Sequence, residues 1–296
     1  MNWRLAAALG SVYVFWGATF LAMRVGVETI PPMVLICLRF IAVGILMLLW
    51  AYFGGGNWRV QKNEWRGLVL TGSGMFILGN GVYAIALQHI PSSIATLIGA
   101  TGAVWMILLD WYFRGERPGR ILMMGLLVSL IGIVVLVGRP ETGGLNPFWL
   151  MVCLWASFMW TISSYSMRLM PLPESTWVTV GWQNLFGGLG GAVLATILGQ
   201  WGDFSFGEVS DRSWFGVAYL VLIGSMIGFT SYQWIVVHAS PILAATATLV
   251  NPVVAMFLGW LLLDEPFTIR VFFAFVLVLA GVVAIMIGRN SKKKNS

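Results

Sequence analysis

The chain has 296 residues, of which 59% are hydrophobic and only 9% carry a charge. Too little polar surface remains to cover a water-soluble globule of this size, so the composition excludes an ordinary soluble protein and indicates that lipid is the solvent. The formal net charge of +6 reflects membrane topology, because basic residues accumulate in cytoplasmic loops, and we expect no nucleic-acid partner.

Ten windows of 18–23 residues, almost free of charge, follow one another along the chain. Each is close to the roughly 20 residues that a helix needs to cross about 30 Å of hydrocarbon. Runs such as ILMMGLLVSLIGIVVLVG are apolar on every side, unlike a barrel strand that faces water. We therefore predict an all-α integral membrane protein with ten transmembrane helices. The predicted helices cover residues 5–23, 33–53, 67–88, 92–113, 121–138, 148–167, 177–199, 214–236, 242–263 and 270–288.

The basic residues predict the orientation of these helices. With the N-terminus inside, twelve of the seventeen lysines and arginines fall in cytoplasmic loops and four in external loops, and Arg39 lies within the second helix. Basic residues favour the cytoplasmic side, so we expect both termini in the cytoplasm. We expect a multi-pass protein of the cytoplasmic (inner) membrane of a prokaryote.

The two halves of the chain repeat one another. The stretch YVFWGATFLAMRVG around Trp16 reappears as SFMWTISSYSMRLM around Trp160, and Tyr83 matches Tyr232 at a shift of 149. Each half holds five predicted helices, an odd number, so the second half must be inverted in the membrane relative to the first. Inverted repeats are typical of transporters, which hold a solute between the halves near the midplane. The predicted units are residues 1–140, residues 141–290 and a basic cytoplasmic tail at 291–296.

Several motifs support a family resemblance. The segments WGATFLAMRVGVETIPP, LRF, PSSIA and ATATLVNPVVAMFLGWLLLDEP, with a glycine-rich last helix, resemble the EamA-type proteins of the drug/metabolite transporter superfamily. The resemblance covers essentially the whole chain. It implies ten helices in two inverted five-helix repeats and a central cavity lined mainly by the first, third, fourth, sixth, eighth and ninth helices. It also implies export of small metabolites, often amino acids or their derivatives, or of aromatic compounds, drugs and other toxic organic compounds.

Matching sides of the first and sixth helices combine aromatic rings with hydroxyl groups at helical spacing. Hydroxyls have no use against lipid, so we expect these surfaces to line the cavity. The alternative is helix packing, with each hydroxyl bonded to a backbone carbonyl. The predicted binding residues are Trp16, Thr19 and Phe20 on the first helix and Trp160, Ser163 and Ser164 on the sixth.

Polar side chains on the other predicted cavity helices are further candidates for binding a solute. Buried amides and phenols need hydrogen-bond partners in lipid, which a solute or a neighbouring helix can supply. The residues are Asn80 and Tyr83 on the third helix, Thr101 and Trp105 on the fourth, Tyr232 and Gln233 on the eighth, and Asn251 on the ninth.

Two residues are predicted to have structural or gating roles. Arg39 is costly within a helix that crosses lipid; we expect it to pair with carbonyls at a neighbouring helix end, or alternatively to gate the cavity or bind a solute carboxylate. Pro252 removes a backbone donor, whereas the matching Gly102 only permits bending. We therefore expect a break in the ninth helix, whereas the sequence does not decide whether the fourth helix is also broken.

The sequence offers no enzyme chemistry. No nucleophile and base stand at a suitable spacing, and His89 and His238 fall on opposite sides of the predicted membrane, so we expect no metal and no cofactor. No carboxylate lies in mid-helix to carry a proton. A proton or solute gradient is nevertheless the expected driving force, and His89 is one candidate for coupling to protons.

The residue pattern and the resemblance together favour a secondary transporter that exports small amphipathic metabolites by alternating access. Its expected partners are a small-molecule solute and the lipid bilayer; the oligomeric state is left open. One alternative is an uptake facilitator for a cationic or nucleoside-like solute, with Trp16, Trp105 and Trp160 as a cation–π cage. The other is a membrane scaffold that transports nothing.

Overall fold

Helices make up the backbone of this chain. The computed structural model describes residues 3–54, 58–90, 92–115, 117–137, 146–239, 241–263 and 269–294, and no strand occurs within these ranges. The α-helices are α1 (Trp3–Gly17), α2 (Thr19–Gly26), α3 (Pro32–Phe53), α4 (Trp65–Ser73), α5 (Val82–Ala86), α6 (Ser92–Gly99), α7 (Gly102–Arg114), α8 (Arg120–Val137), α9 (Pro147–Ser166), α10 (Thr176–Ile197), α11 (Asp211–Tyr219), α12 (Gly228–His238), α13 (Pro241–Leu263) and α14 (Ile269–Lys294). Two π-helices, π1 (Gly74–Gly81) and π2 (Leu220–Ile227), and the 3₁₀-helix Phe206–Glu208 complete the described elements.

Each of the ten predicted windows coincides with a helix or a run of consecutive helices. Within the described ranges, five runs are long and apolar enough to cross a membrane: Trp3–Gly26, Pro32–Phe53, Trp65–Ala86, Pro147–Ser166 and Asp211–His238. Arg120–Gly132, Ile242–Val254 and Val276–Ile285 are shorter apolar helices. The prediction of an all-α membrane protein is confirmed, and the count of ten spans stays a prediction.

The predicted limits of the two halves are partly described. The boundary between residues 140 and 141 lies outside the described residues. At the other end, α14 continues to Lys294. The helix therefore includes most of the basic segment that the sequence assigns to a separate tail.

Several helices begin at residues suited to a helix start. Pro32 is the first residue of α3 and Pro147 that of α9, positions where the missing N–H of proline has no helical partner to lose. Before α9, the side chain of Asn146 accepts a hydrogen bond from the backbone of Phe148 at 3.0 Å. Before α11, Ser210 caps the backbone of Ser213 in the same way. These caps satisfy donors that a helix leaves free at its N-terminus.

The position of the helix break differs from the prediction. α13 is one continuous helix with Pro252 inside it, whereas the break lies between α6 and α7, at residues 100–101. A proline removes only one backbone bond, and other groups in a membrane bundle can satisfy the freed carbonyl. At the break, the hydroxyl of Thr101 donates to the carbonyl of Ile98 at 2.6 Å, and the backbone nitrogen of Thr101 donates to the same carbonyl at 3.0 Å. Local bonds therefore satisfy this carbonyl where the helix is interrupted.

Close helix packing holds the two halves together along two seams. α3 packs on α10, and α8 packs on α14. A Cβ at Gly188 of α10 would lie 2.6 Å from the backbone nitrogen of Ile41, and one at Gly281 of α14 would lie 2.5 Å from the carbonyl oxygen of Gly125. Glycine therefore lets the paired backbones approach more closely than any other residue would, as at many helix contacts in membranes.

Candidate functional site

A cavity lies between the two halves, with aromatic rings on one side. Its empty volume is about 660 Å³, counted with the space at its open mouth. Trp16 of α1 and Trp160 of α9 both line it, with ring centroids 5.8 Å apart in an edge-to-face arrangement. Phe229 of α12 lies 5.4 Å from Trp16 and 5.6 Å from Trp160. The rings form one continuous apolar wall.

Close packing fixes the ring of Trp16. Its indole nitrogen donates a hydrogen bond to the carbonyl of Gly224 at 3.0 Å, and only 6% of the side chain is exposed. A Cβ at Gly228 would lie 2.4 Å from that nitrogen, so the missing side chain of Gly228 makes room for the indole. Trp160 is half-buried and packs beside the backbone at Gly79. Trp160 therefore presents more of its surface to the cavity than Trp16 does.

Hydroxyl and amide groups form the polar part of the wall. Ser157 and Thr161 of α9 and Thr248 of α13 line the cavity near Gly102. The hydroxyl of Thr161 donates to the carbonyl of Ser157 at 2.7 Å. Asn251 also lines the cavity, and its side-chain oxygen is buried and has no hydrogen-bond partner among the described residues. A buried acceptor of this kind is unfavourable unless a bound molecule supplies a donor.

Arg39 of α3 brings a charge to the cavity. The side chain is 1% exposed, and its Nε donates to the hydroxyl of Ser225 at 3.0 Å. The guanidinium carbon lies 4.7 Å from the ring of Phe40 and 5.3 Å from that of Phe229. The sequence led us to expect carbonyl partners at a helix end. The structure instead gives Arg39 a hydroxyl and two aromatic rings.

The structure brings many of the predicted binding residues together. The cavity draws on the helices implied by the resemblance and, in addition, on α3. The predicted residues that line it are Trp16, Thr19, Phe20, Arg39, Asn80, Tyr83, Trp160 and Asn251. Those not in its lining are Thr101, Trp105, Ser163, Ser164, Tyr232, Gln233 and Pro252.

Ser163, Ser164 and Tyr232 lie in helix contacts instead. A Cβ at Gly74 would lie 1.9 Å from the hydroxyl of Ser163, so this serine packs directly on π1. Ser164 and Tyr232 share a hydrogen bond of 2.8 Å between their hydroxyls. The ring of Tyr232 lies 4.7 Å from that of Trp16, so Tyr232 supports the aromatic wall from behind.

Gln233, Thr101 and Trp105 also have protein neighbours. The side-chain nitrogen of Gln233 donates to the side-chain oxygen of Gln183. The side-chain nitrogen of Gln183 in turn donates to the hydroxyl of Thr71 at 2.6 Å. The three side chains form a buried series of hydrogen bonds between helices. The hydroxyl of Thr101 shares a hydrogen bond of 3.1 Å with the hydroxyl of the cavity residue Ser157. The ring of Trp105 lies edge-to-face with Phe158 at 5.3 Å and lines a separate surface hollow.

Several cavity residues were not among the predicted binding residues. Ser157, Thr161 and Phe229 each share a helix face with a residue that the sequence did single out. Ser157 stands three positions before Trp160, and Thr161 stands three positions before Ser164, so the spacing of the sixth helix already contained the signal. The prediction extended that face towards Ser164 rather than towards the start of the helix. The others are Thr96, Gly99, Gly102 and Thr248.

The described residues contain no cluster suited to metal binding. Within them no group of three His, Cys, Asp or Glu side chains could hold a metal ion. His89 stacks on Trp149 with ring centroids 3.9 Å apart, and His238 stacks on Trp234 at 5.1 Å. Each histidine thus lies against an aromatic ring.

An apolar helical bundle with a cavity between its two halves is an arrangement typical of membrane transporters. The family model of the EamA-like transporter family matches residues 3–138 and 147–287. The chain therefore belongs to the EamA-like transporter family, and its class is that of a membrane transporter rather than an enzyme.

Similar proteins occur in several bacteria. The chain is 29% identical to the "Uncharacterized inner membrane transporter YedA" of Escherichia coli K12, over 96% of this chain and 91% of that protein. It is 22% identical to the "Uncharacterized transporter YoaV" of Bacillus subtilis 168, over 92% and 93%. It is 25% identical to the "Probable amino-acid metabolite efflux pump" of E. coli K12, over 95% and 94%.

A solved crystal structure has the same fold. It superposes with a TM-score of 0.80 at 19% sequence identity, and the match covers 98% of this chain and 99% of that one. At this identity the likeness concerns the fold alone.

Proposed function

We propose that the chain is a secondary transporter that exports small amphipathic solutes from the cytoplasm by alternating access. The observation that carries the proposal is the cavity itself, because both halves of the chain contribute its walls. Trp16 and Asn80 come from the first half, and Trp160 and Phe229 occupy the matching positions of the second. A solute held between two such halves can be released to either side as they exchange conformations.

The proposed architecture is ten spans in two inverted five-helix repeats, residues 1–140 and 141–290, followed by a basic cytoplasmic tail at 291–296. The match of the family model in two segments, 3–138 and 147–287, supports it. So does the pattern of helix packing. α1 packs on α13, and its counterpart α9 packs on α6 and α7, which together are the counterpart of α13. Such reciprocal contacts are expected of two related halves.

The proposed orientation places both termini in the cytoplasm of a prokaryote, with the protein in the inner membrane. Contacts between helix ends support the alternation of the spans. At one end, Arg24 donates to the carbonyl of Leu87, and Thr29 donates to Ser213 at 2.8 Å. The cavity residue Phe20 stands six positions before Gly26, where α2 ends. With this orientation, the cavity extends towards the external side.

The wall chemistry indicates the solute class. Stacked rings suit an apolar or aromatic body, and the hydroxyls and the free acceptor of Asn251 suit a few hydrogen-bonding groups. The relative described as an amino-acid metabolite efflux pump is consistent with such solutes. The alternative of a cationic solute is disfavoured because Arg39 lines the cavity and no carboxylate belongs to its described lining.

Counter-flow in proteoliposomes tests the proposal. Vesicles loaded with a small aromatic metabolite should accumulate the labelled compound from outside when they contain the protein, whereas a scaffold moves nothing. Thr248→Trp, which fills the cavity, should abolish counter-flow. Val193→Trp, at an exposed site on α10, is the matched control and should retain it. Equal rates for the two variants would place the transport path elsewhere, and a lack of counter-flow for every solute tried would reject a transporter.

Reporter fusions test the orientation. A reporter after Lys294 and one within residues 58–63 should both report the cytoplasm, and one within 203–208 should report the outside. A cytoplasmic result at 203–208 would contradict both the ten spans and the inverted repeat. Imposing a proton gradient on the same vesicles asks whether transport is driven by protons.

A further inference from the structure

Arg39 is the charged side chain in the described lining of the cavity, and its guanidinium is only partly satisfied. Nε is bonded to Ser225, whereas Nη1 is buried and has no hydrogen-bond partner among the described residues. An arginine carries its charge at every physiological pH, and it has five N–H donors to satisfy. The structure therefore holds a buried cation with at least one free donor at the wall of the cavity.

An isolated charge in this place is strongly unfavourable. Taking a cation out of water costs several kcal/mol unless an anion or well-placed acceptors compensate. The ion pair recorded among the described residues joins Arg114 to Asp110, and it does not involve Arg39. Aromatic rings contribute only part of the compensation. An anion that enters the cavity would supply the rest of the compensation.

The guanidinium is also held in one orientation. The rings of Phe40 and Phe229 lie 4.7 Å and 5.3 Å from the guanidinium carbon, with their own centroids 6.1 Å apart, so they pack around it from adjacent directions. The bond to Ser225 fixes its Nε end. A planar fork held in this way binds a carboxylate with two parallel hydrogen bonds at little cost in conformational entropy. Phe229 belongs at the same time to the aromatic wall, so an anion at Arg39 would lie next to the apolar surface.

We propose that Arg39 determines the specificity of the cavity by binding the carboxylate of an organic solute whose apolar body lies on the aromatic wall. This inference rests on the proposed transport function and narrows its solute class to carboxylates. An alcohol in place of the carboxylate accepts at most a single neutral hydrogen bond and leaves the guanidinium charge uncompensated, and an ammonium group has no acceptor and adds repulsion. Such solutes bind weakly.

The test compares solutes that differ only in their head group. Phenylpropionate, phenylpropanol and phenylpropylamine are titrated against the purified protein, with the shift in melting temperature as the readout. Isocaproate, isohexanol and isohexylamine form a second series with an aliphatic body. In the wild-type protein the carboxylate should bind at least about tenfold more tightly than the alcohol or the amine. Arg39→Gln introduces the residue that the second half of the chain has at the matching position, Gln183. In this variant the carboxylate should bind no better than the alcohol.

Arg168→Gln is the matched control. Arg168 also has a buried Nη1 with no hydrogen-bond partner in the part of the chain that the structure describes, but it does not belong to the described lining of the cavity. Its replacement should leave the preference for carboxylates unchanged. An equal loss of preference in both variants would indicate a general effect of positive charge and would overturn the assignment to Arg39.

Other outcomes separate this inference from the transport function. If all three members of a series bind equally in the wild-type protein, the role of Arg39 is rejected and the transporter stands. If chloride or inorganic phosphate stabilises the protein as strongly as the carboxylates and competes with them, Arg39 binds an inorganic anion and the inference fails. If no member of either series binds or is transported, the amphipathic solute class fails with it. The wild-type series decides the matter even if Arg39→Gln does not fold.

Discussion

The two tryptophans of the cavity wall should respond differently to truncation, although each is matched to the other in sequence. Trp16 is 6% exposed, donates to Gly224 and contacts the rings of Trp160, Phe229 and Tyr232 at 4.7–5.8 Å. Trp160 is half-buried and turned towards the cavity. We therefore expect Trp16→Ala mainly to lower stability and Trp160→Ala mainly to lower solute affinity.

The magnitudes follow from the contacts. Trp16→Ala removes a buried aromatic side chain, which typically costs about 3–5 kcal/mol, and about 1 kcal/mol of this is the hydrogen bond to Gly224. At roughly 2–4 °C per kcal/mol for domains of a few hundred residues, the melting temperature should fall by about 6–20 °C. Trp160→Ala removes a stacking surface worth about 1–2 kcal/mol to an aromatic solute, so affinity should fall roughly tenfold.

The assay is thermal unfolding of the detergent-solubilised protein with and without solute. Trp16→Phe is the intermediate case, because it keeps an aromatic ring but loses the donor to Gly224, and it should cost roughly 1–2 kcal/mol. If both alanine variants lose the same stability and bind solute as well as the wild type, the rings serve only packing. If Trp16→Ala melts like the wild type, the stabilising role assigned to its burial is wrong.

Three further predictions concern helix packing and the cavity residue Gly102. Ser164→Ala or Tyr232→Phe leaves the other buried hydroxyl unpaired and should cost about 1–3 kcal/mol, whereas the double variant should cost less than the sum, with a coupling of about 1 kcal/mol in a double-mutant cycle. Gly188→Ala should lower the melting temperature by several degrees, because the added Cβ would lie 2.6 Å from the backbone of α3. Gly10→Ala is the control. A Cβ at Gly10 would have nothing within 4 Å, so this variant should be neutral or stabilising. Gly102→Ala would place a methyl 3.2 Å from a cavity hydroxyl, so we expect solute affinity, measured by titration, to fall more than the melting temperature does.

Hydropathy predicted the helices because lipid imposes a simple rule. Every backbone group must be satisfied inside the span, so a long apolar window becomes a helix whatever its detailed sequence. Local breaks do not follow this rule. Pro252 was expected to interrupt its helix and does not, whereas the chain breaks before Gly102. The outcome depends on whether neighbouring groups satisfy the freed carbonyls, and these neighbours are remote in sequence.

Helical spacing located the cavity only in part. It selected the faces that carry Trp16 and Trp160, because aromatic rings beside hydroxyls are unusual against lipid. It did not separate hydroxyls that face the cavity from those that bond across a helix contact, since both leave the same pattern. Ser164 bonds Tyr232, whereas Ser157, two turns earlier on the same helix, lines the cavity. Only the position of the neighbouring helices distinguishes the two.

The glycine seam between α3 and α10 has a consequence for how the protein is made. α10 ends at Ile197, 144 residues after α3 ends at Phe53. At about 5–20 residues per second on the ribosome, synthesis of α10 is complete roughly 7–30 s after synthesis of α3. During this interval α3 lacks the helix on which it packs. Throughout that time Arg39 has neither its partner Ser225 nor the ring of Phe229, which are synthesised later still. The emerging first half must therefore shelter a charged residue that only the completed chain can bury.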